Sequence, residues 1–282
     1  MSFSGQVKDE LARLNNWTNK DILKAELNGY NLSSNTSKEE SKIFFSTENA
    51  SNIERYNKIL ENLKISYETE KKGKLYVTIY ESIDIGDIDI ENKEILKAVL
   101  RGAFMASGAI NNPNNKYHLE VFLNTKENAK YINYITEQFQ INSKLLKREK
   151  NYSIYLKDGE AISNFLALIG ANKSVLDFEE IRVMREMKNN VNRLVNCETA
   201  NLNKTINVAV AQIEDINYIK KRKRFEELPK SLKEIAQIRI ENPDMSFAQM
   251  GKMLAEPIGK SGVNHRLKKI TEIADELRKE AK

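Results

Sequence analysis

Three small residues at four-residue steps, Ala25, Gly29 and Ser33, recur seventy-three positions later as Ala98, Gly102 and Ala106. No other feature constrains the fold as much. On a helix these steps place the three residues on one flat stripe, and two flat stripes can approach until backbone meets backbone. A pair of helices packed about a pseudo-twofold axis between two repeats is the expected result.

The residues after each helix also correspond. KIFFSTEN at 42–49 and KYHLEVFLN at 116–124 alternate as strands do, and each precedes a helical run, at 51–65 and 126–141. Paired strands follow, at 66–70 with 74–80 and at 144–149 with 151–157. Each repeat therefore reads helix, strand, helix, strand, strand, over about 19–81 and 93–171, with GEAISNFLALIGA at 159–171 closing the second. This predicts an α+β domain over residues 1–172, a mixed α/β saddle of antiparallel strands. The acidic stretch between the repeats holds Asp84, Asp87 and Asp89 but lacks the ligand order of an EF-hand, so it reads as a solvated linker.

The C-terminal part has a different pattern. Ser246 and Gln249 have capping-box spacing ahead of a short helix, 247–254. Pro257 and Gly259 interrupt it, and Ser261 offers a fresh N-cap for a second helix from about Gly262. That helix carries Val263, Leu267, Ile270, Ala274 and Leu277 as one buried stripe. Ser261, His265 and Lys268 lie opposite the stripe; Asn264, Arg266 and Lys269 flank it, with Lys260 at the start. This is the outline of an all-α helix-turn-helix, with hydrogen-bonding groups placed for base edges and cations for phosphates. A further helix, with a capping box at Ser231 and Glu234 and an end at Asn242 and Pro243, completes a module over 228–282.

Charge points to the same module. Residues 217–282 hold sixteen lysines and arginines against ten acids, a net of +6, while the whole chain is +5. The run Lys220, Lys221, Arg222, Lys223 and Arg224 is expected to supply phosphate contacts, which makes affinity salt dependent. Residues 173–227 read as a helical linker of two or more helices, with an Asn-rich hinge at 189–204 and an apolar stripe of Ile206, Ala209, Val210 and Ile213.

One cysteine, Cys197, and two histidines, His118 and His265, exclude an internal disulfide and a thiolate-imidazole zinc cluster. Cys197 is expected to be packed or partly buried. With 40% apolar and 30% charged residues, no secretory pattern at the start and no apolar run of about 18 residues, the chain reads as cytoplasmic, without membrane, metal or cofactor.

LRGAFMASG at 100–108 and LNGYNLSSN at 27–35 resemble degenerate copies of the signature of LAGLIDADG homing endonucleases. In those enzymes the acidic residue before the last glycine holds catalytic divalent metal, and the resemblance puts Ser34 and Ser107 there. A hydroxyl cannot supply the charge such a site needs, so the scaffold is expected to be retained and the nuclease activity lost. A degenerate domain of this kind followed by a helix-turn-helix resembles the WhiA family over nearly the whole chain. VNRLVNCETANLNKT at 191–205, RGAFMASGAI at 101–110 and IGKSGVNHRLKKI at 258–270 carry that resemblance. It implies a nucleoid-associated, sequence-specific regulator of sporulation or cell division that binds double-stranded DNA through its tail, with Ser246 among the contacting residues, and that meets a protein co-regulator. The competing readings are an interaction protein that recruits a division or transcription factor, and an endonuclease with a relocated metal site.

Overall fold

The computed structural model describes residues 2–84 and 86–280, so Ile85 of the acidic stretch and the last two residues of the expected C-terminal module lie outside the described residues. The chain divides into two compact units, Met1–Met187 and Lys188–Lys282, each with its own apolar core.

The first unit opens with α1 (Phe3–Ala12) and then runs α2 (Lys20–Asn31), β1 (Thr36–Glu39), β2 (Lys42–Thr47), α3 (Ala50–Asn62), β3 (Tyr67–Lys72) and β4 (Leu75–Glu81). The second repeat follows as α4 (Lys93–Ser107), β5 (Gly108–Ile110), β6 (Leu119–Leu123), α5 (Lys126–Gln138), β7 (Lys144–Lys147) and β8 (Tyr152–Leu156), closed by α6 (Gly159–Ile169). The strands form two antiparallel sheets of identical plan, β1-β2-β4-β3 and β5-β6-β8-β7. The expected α+β duplication is therefore the fold, with one strand more per repeat. β1 is the polar tetrapeptide TSKE and β5 a tripeptide leaving α4 directly, both too short to show an alternation.

α2 and α4 meet along the small-residue stripe. A Cβ on Gly29 would lie 2.1 Å from the Val99 carbonyl oxygen, and one on Gly102 would lie 1.9 Å from that of Glu26. The repeat reaches into the caps as well, because Asn19 and Asn92, also seventy-three apart, each accept two backbone N–H groups at the starts of these helices. Beside the stripe, Glu26 is fully buried and accepts from Arg55 Nε at 2.5 Å, Arg55 Nη2 at 2.7 Å and Arg101 Nη1 at 3.3 Å. A second carboxylate, Glu120, is also buried. Burial alone would raise its pKa, but hydrogen bonds from Ser153, Arg148 and His118 hold it below the ordinary value.

A single helix, α7 (Asn172–Lys221), follows α6. Its early turns place Phe178 in the first core, and its last turns place Ile216 and Ile219 in the second. The expectation of two or more helices with an Asn-rich hinge is corrected here. No glycine or proline interrupts these fifty residues, and asparagine costs at most about 0.7 kcal/mol relative to alanine in a helix. Two further expectations fail on α7: Cys197 is exposed, and Ile206 and Val210 stay exposed while Ala209 is buried. A short 3-10 turn (Phe225–Glu227), α8 (Lys230–Glu241), α9 (Phe247–Met253) and α10 (Lys260–Lys279) complete the second unit. Among the described residues, no helix is long and apolar enough to cross a membrane.

Candidate nucleic-acid interface

The second unit holds α9 and α10 in a fixed relation through groups that sequence patterns only partly disclose. At the start of α9, Ser246 forms the expected capping box with Gln249. The capping box expected at Ser231 is absent. Pro229 is the N-cap of α8, its carbonyl accepting from Leu232 and Lys233, and Glu234 instead accepts the Ala255 N–H at 2.6 Å. A carboxylate that pattern matching assigned to one helix start therefore fixes the turn between two other helices. Arg239, almost fully buried, donates to the carbonyls of Pro243 and Met245 and so sets the loop that leads into α9. Ser261 is likewise no cap. Gly259 takes the extended cap position, so α10 starts at Lys260 and Ser261 sits exposed in its first turn.

The turn is closed by backbone. Ile258 N donates to the Gly251 carbonyl at 3.0 Å, and a Cβ on Gly251 would lie 2.2 Å from the Ile258 carbonyl oxygen. Gly251→Ala is expected to cost the second unit about 1–3 kcal/mol, because a loop carbonyl can retreat only partway from an inserted methyl. Urea unfolding checks this, and an unchanged midpoint would contradict the turn geometry. At its far end α10 is anchored to α7 by Arg278, which meets Asp215 at 2.7 Å and lies 5.0 Å from the Tyr218 ring.

Val263, Leu267, Ile270, Ala274 and Leu277 are buried, as their spacing requires. Their burial turns Ser261, His265 and Lys268 outward, with Lys260, Asn264 and Lys269 exposed beside them. Arg266 is half-buried at the margin of the stripe. From Pro257 to Thr271 the sequence holds no acidic residue, but Glu272, Asp275 and Glu276 follow on exposed positions. The outward surface of α10 is thus basic over its first two to three turns and acidic beyond them. This polarity was readable from charge order along the helix, a signal that a net count conceals.

The other candidates are placed differently. The Ser246 hydroxyl is engaged with Gln249 through the capping box. In the basic run, Lys220 and Lys221 end α7, and Arg224 N reaches back to the Ile219 carbonyl while Lys223 takes a left-handed φ of 57°. Lys220 lies over the Phe225 ring and Arg224 pairs with Glu227, which leaves Lys221, Arg222 and Lys223 without a side-chain partner among the described residues. Local contacts thus occupy two of the five charges.

In the first unit, Ser107 ends α4, its hydroxyl donating to the Phe122 carbonyl at 2.5 Å, and Ser34 donates its backbone N–H to the same Phe122 oxygen at 3.1 Å. Both repeats thus bring the position after their small-residue stripe to one strand carbonyl. Hydroxyls at Ser34 and Ser107 do not fit a divalent cation that needs carboxylates. Among the described residues, no group of three or more acidic, histidine or cysteine side chains is arranged to hold a metal ion.

A duplicated helix-and-sheet unit with serines at its two motif ends, joined to a unit in which two helices meet across a tight turn, defines the class: a LAGLIDADG-like domain carrying a helix-turn-helix. Family models match both parts, the WhiA LAGLIDADG-like domain over residues 96–188 and the WhiA C-terminal HTH domain over residues 191–274. A protein of Clostridium botulinum named probable cell division protein WhiA is 41% identical, covering 99% of each chain. One of the same name from Clostridium tetani is 50% identical over 65% of this chain and 58% of that protein. The crystal structure of full-length WhiA from Thermotoga maritima superposes with a TM-score of 0.66 at 26% identity, over 98% of this chain and 99% of that one. The chain belongs to the WhiA family.

Proposed function

We propose that this protein is a sequence-specific DNA-binding transcriptional regulator of cell division and sporulation, cytoplasmic and nucleoid-associated, with no nuclease activity. The observation that carries the reading is the outward surface of α10, where Ser261, Asn264, His265 and Lys268 are exposed on an acid-free stretch supported by a closed turn. A recognition helix reads the major groove with its N-terminal residues, which is where this surface is basic. In this reading His265, Asn264 and Ser261 meet base edges, while Lys260, Arg266, Lys268 and Lys269 meet base edges or phosphates and Lys221, Arg222 and Lys223 add backbone contacts. The hydroxyls at Ser34 and Ser107 support the loss of phosphodiester chemistry, and the names of the relatives support a role in cell division.

His265→Ala and Lys268→Ala are each expected to weaken binding to a selected duplex by about 1–3 kcal/mol with unchanged thermal unfolding. The measurement is fluorescence anisotropy at near-physiological salt on a site enriched from random duplexes. Equal affinity of both variants and the parent would remove α10 from the groove.

A second reading, recruitment of a division or transcription factor by the first unit, is favoured by the first sheet. Its solvent face places Phe44, Val77 and Ile79 centrally among Glu39, Glu68, Glu70 and Glu81, with Lys42 and Lys72 the cations among them. Four carboxylates against two ammoniums repel a phosphate backbone and suit a protein co-regulator.

A further inference from the structure

The motif at 191–205 is one of the three that carry the family resemblance, and the reading of α10 as the groove element leaves it without a task. The second unit puts its end to use. Asn201, Lys204, Thr205 and Val208 recur at three and four residue steps, so they share one face of α7. That face and Ser246, Phe247 and Lys260 line a cavity of about 450 Å³. Helix α7 thus flanks the starts of both helices of the helix-turn-helix.

The chemistry of this notch is one-sided. Two ammoniums, Lys204 from α7 and Lys260 from α10, border it, and no carboxylate does. Neither lysine has an ion-pair partner among the described residues. On α7 the nearest acids along the sequence are Glu198 and Glu214, so Thr199 to Ile213 offers no local neutralisation. The Asn201 amide meets only the weakly accepting Cys197 sulfur, at 3.8 Å, and keeps its second N–H for another acceptor. Like charges around one cavity lose their mutual repulsion when an anion enters between them. Val208 and Phe247 supply the apolar part of the lining. Lys260 immediately precedes Ser261 on the outward surface of α10, so an anion held here lies beside the base-reading residues.

We propose that this notch is a seat for one DNA backbone phosphate, with Lys204 and Asn201 of the long helix joining Lys260 to fix the register of the recognition helix on the duplex. The proposal rests on α10 being the groove element. It makes α7 a second DNA-contacting element, and it gives the end of the 191–205 motif a positioning task that carries no sequence information of its own.

The test uses the full chain and measures the dissociation constant over a salt series, on the selected duplex and on a random one, for the parent, Lys204→Gln, Asn201→Ala and Lys268→Gln. Lys204→Gln is expected to weaken both duplexes by a similar several-fold factor and to lower the slope of log K against log salt by about one. Asn201→Ala is expected to weaken both without changing the slope. A parental slope and affinity for Lys204→Gln, alongside weakened specific binding by Lys268→Gln, overturns the seat and leaves the reading of α10 standing. Parental behaviour of both lysine variants overturns the two together. Thermal unfolding without DNA, in inorganic phosphate against chloride of equal ionic strength, separates the sources. A phosphate-dependent rise in Tm that Lys204→Gln abolishes assigns the notch to a free anion and overturns the DNA assignment.

Discussion

Gly102→Ala is expected to leave the first unit unfolded at room temperature. The added methyl would lie 1.9 Å from the Glu26 carbonyl oxygen, 2.9 Å from its carbon and 3.1 Å from Tyr30 N. All three are backbone atoms of α2, so no rotamer change relieves the clash. The reciprocal position is as tight, with Val99 O at 2.1 Å and Ala103 N at 2.7 Å from a Cβ on Gly29. Relief requires α2 and α4 to part by an ångström or more, which opens the centre of the first core around Leu23, Leu27, Val99 and Ala103. Ordinary overpacking costs about 1–3 kcal/mol where side chains can shift. Here backbone meets backbone, and a cost well above about 5 kcal/mol matches the whole stability of a domain at the lower end of the usual range of about 5–15 kcal/mol. Denaturant unfolding followed by circular dichroism is expected to lose the transition of the first unit and to keep that of the second. A parental first transition in Gly102→Ala would refute the close packing of the helices.

Glu26→Ala is expected to cost the same unit about 3–5 kcal/mol, the range for removing one partner of a buried ion pair. The side chains of Glu26 and Arg55 are both fully inaccessible, so the substitution leaves a guanidinium in the core with only the Leu14 carbonyl and the Asn16 side chain as acceptors, and the Trp17 ring 5.0 Å away. Burial alone would lower the Arg55 pKa, but Glu26 raises it above its ordinary value, so the guanidinium keeps its charge in the core. Arg101 loses one contact but keeps the Ile169 carbonyl at 2.8 Å. A matched apolar pair, Glu26→Met with Arg55→Met, is expected to recover most of the loss, since the cost lies in the stranded charge rather than the missing attraction. A loss under about 1 kcal/mol for Glu26→Ala alone would contradict that account.

The two predictions depend on different depths of sequence information. The glycine stripe was legible because a helix repeats its face every three to four residues and the duplication displays the stripe twice. The Glu26, Arg55 and Arg101 cluster was not, since no local period connects positions 26, 55 and 101. At the interface the same division holds. Val263, Leu267 and Ile270 define the outward surface of α10 from spacing alone, and the capping box at Ser246 is a local pattern. Glu234 and Arg239 act on residues 255 and 243–245, across a turn, which the capping-box spacing at Ser231 does not encode. The continuity of α7 has a usable signal in the absence of glycine and proline over fifty residues, one that the many asparagines mask.

Helix α1 packs on α3 of the first repeat and has further partners far along the chain. Phe3 stacks on Phe178 at 6.3 Å between centroids, Ser4 bonds Ile110, and the Glu10 carboxylate accepts from the backbone of Lys173 and Ser174. Part of its seat is therefore supplied from more than a hundred residues away. Its packing on α3 needs only the first repeat, whereas the seat supplied by Ile110, Lys173, Ser174 and Phe178 needs the second repeat and the start of α7 in place. A chain cut before residue 172 would keep α1 on α3 but strand the Glu10 carboxylate and one side of the Phe3 ring, so the two ends of the first unit are closed by one and the same helix.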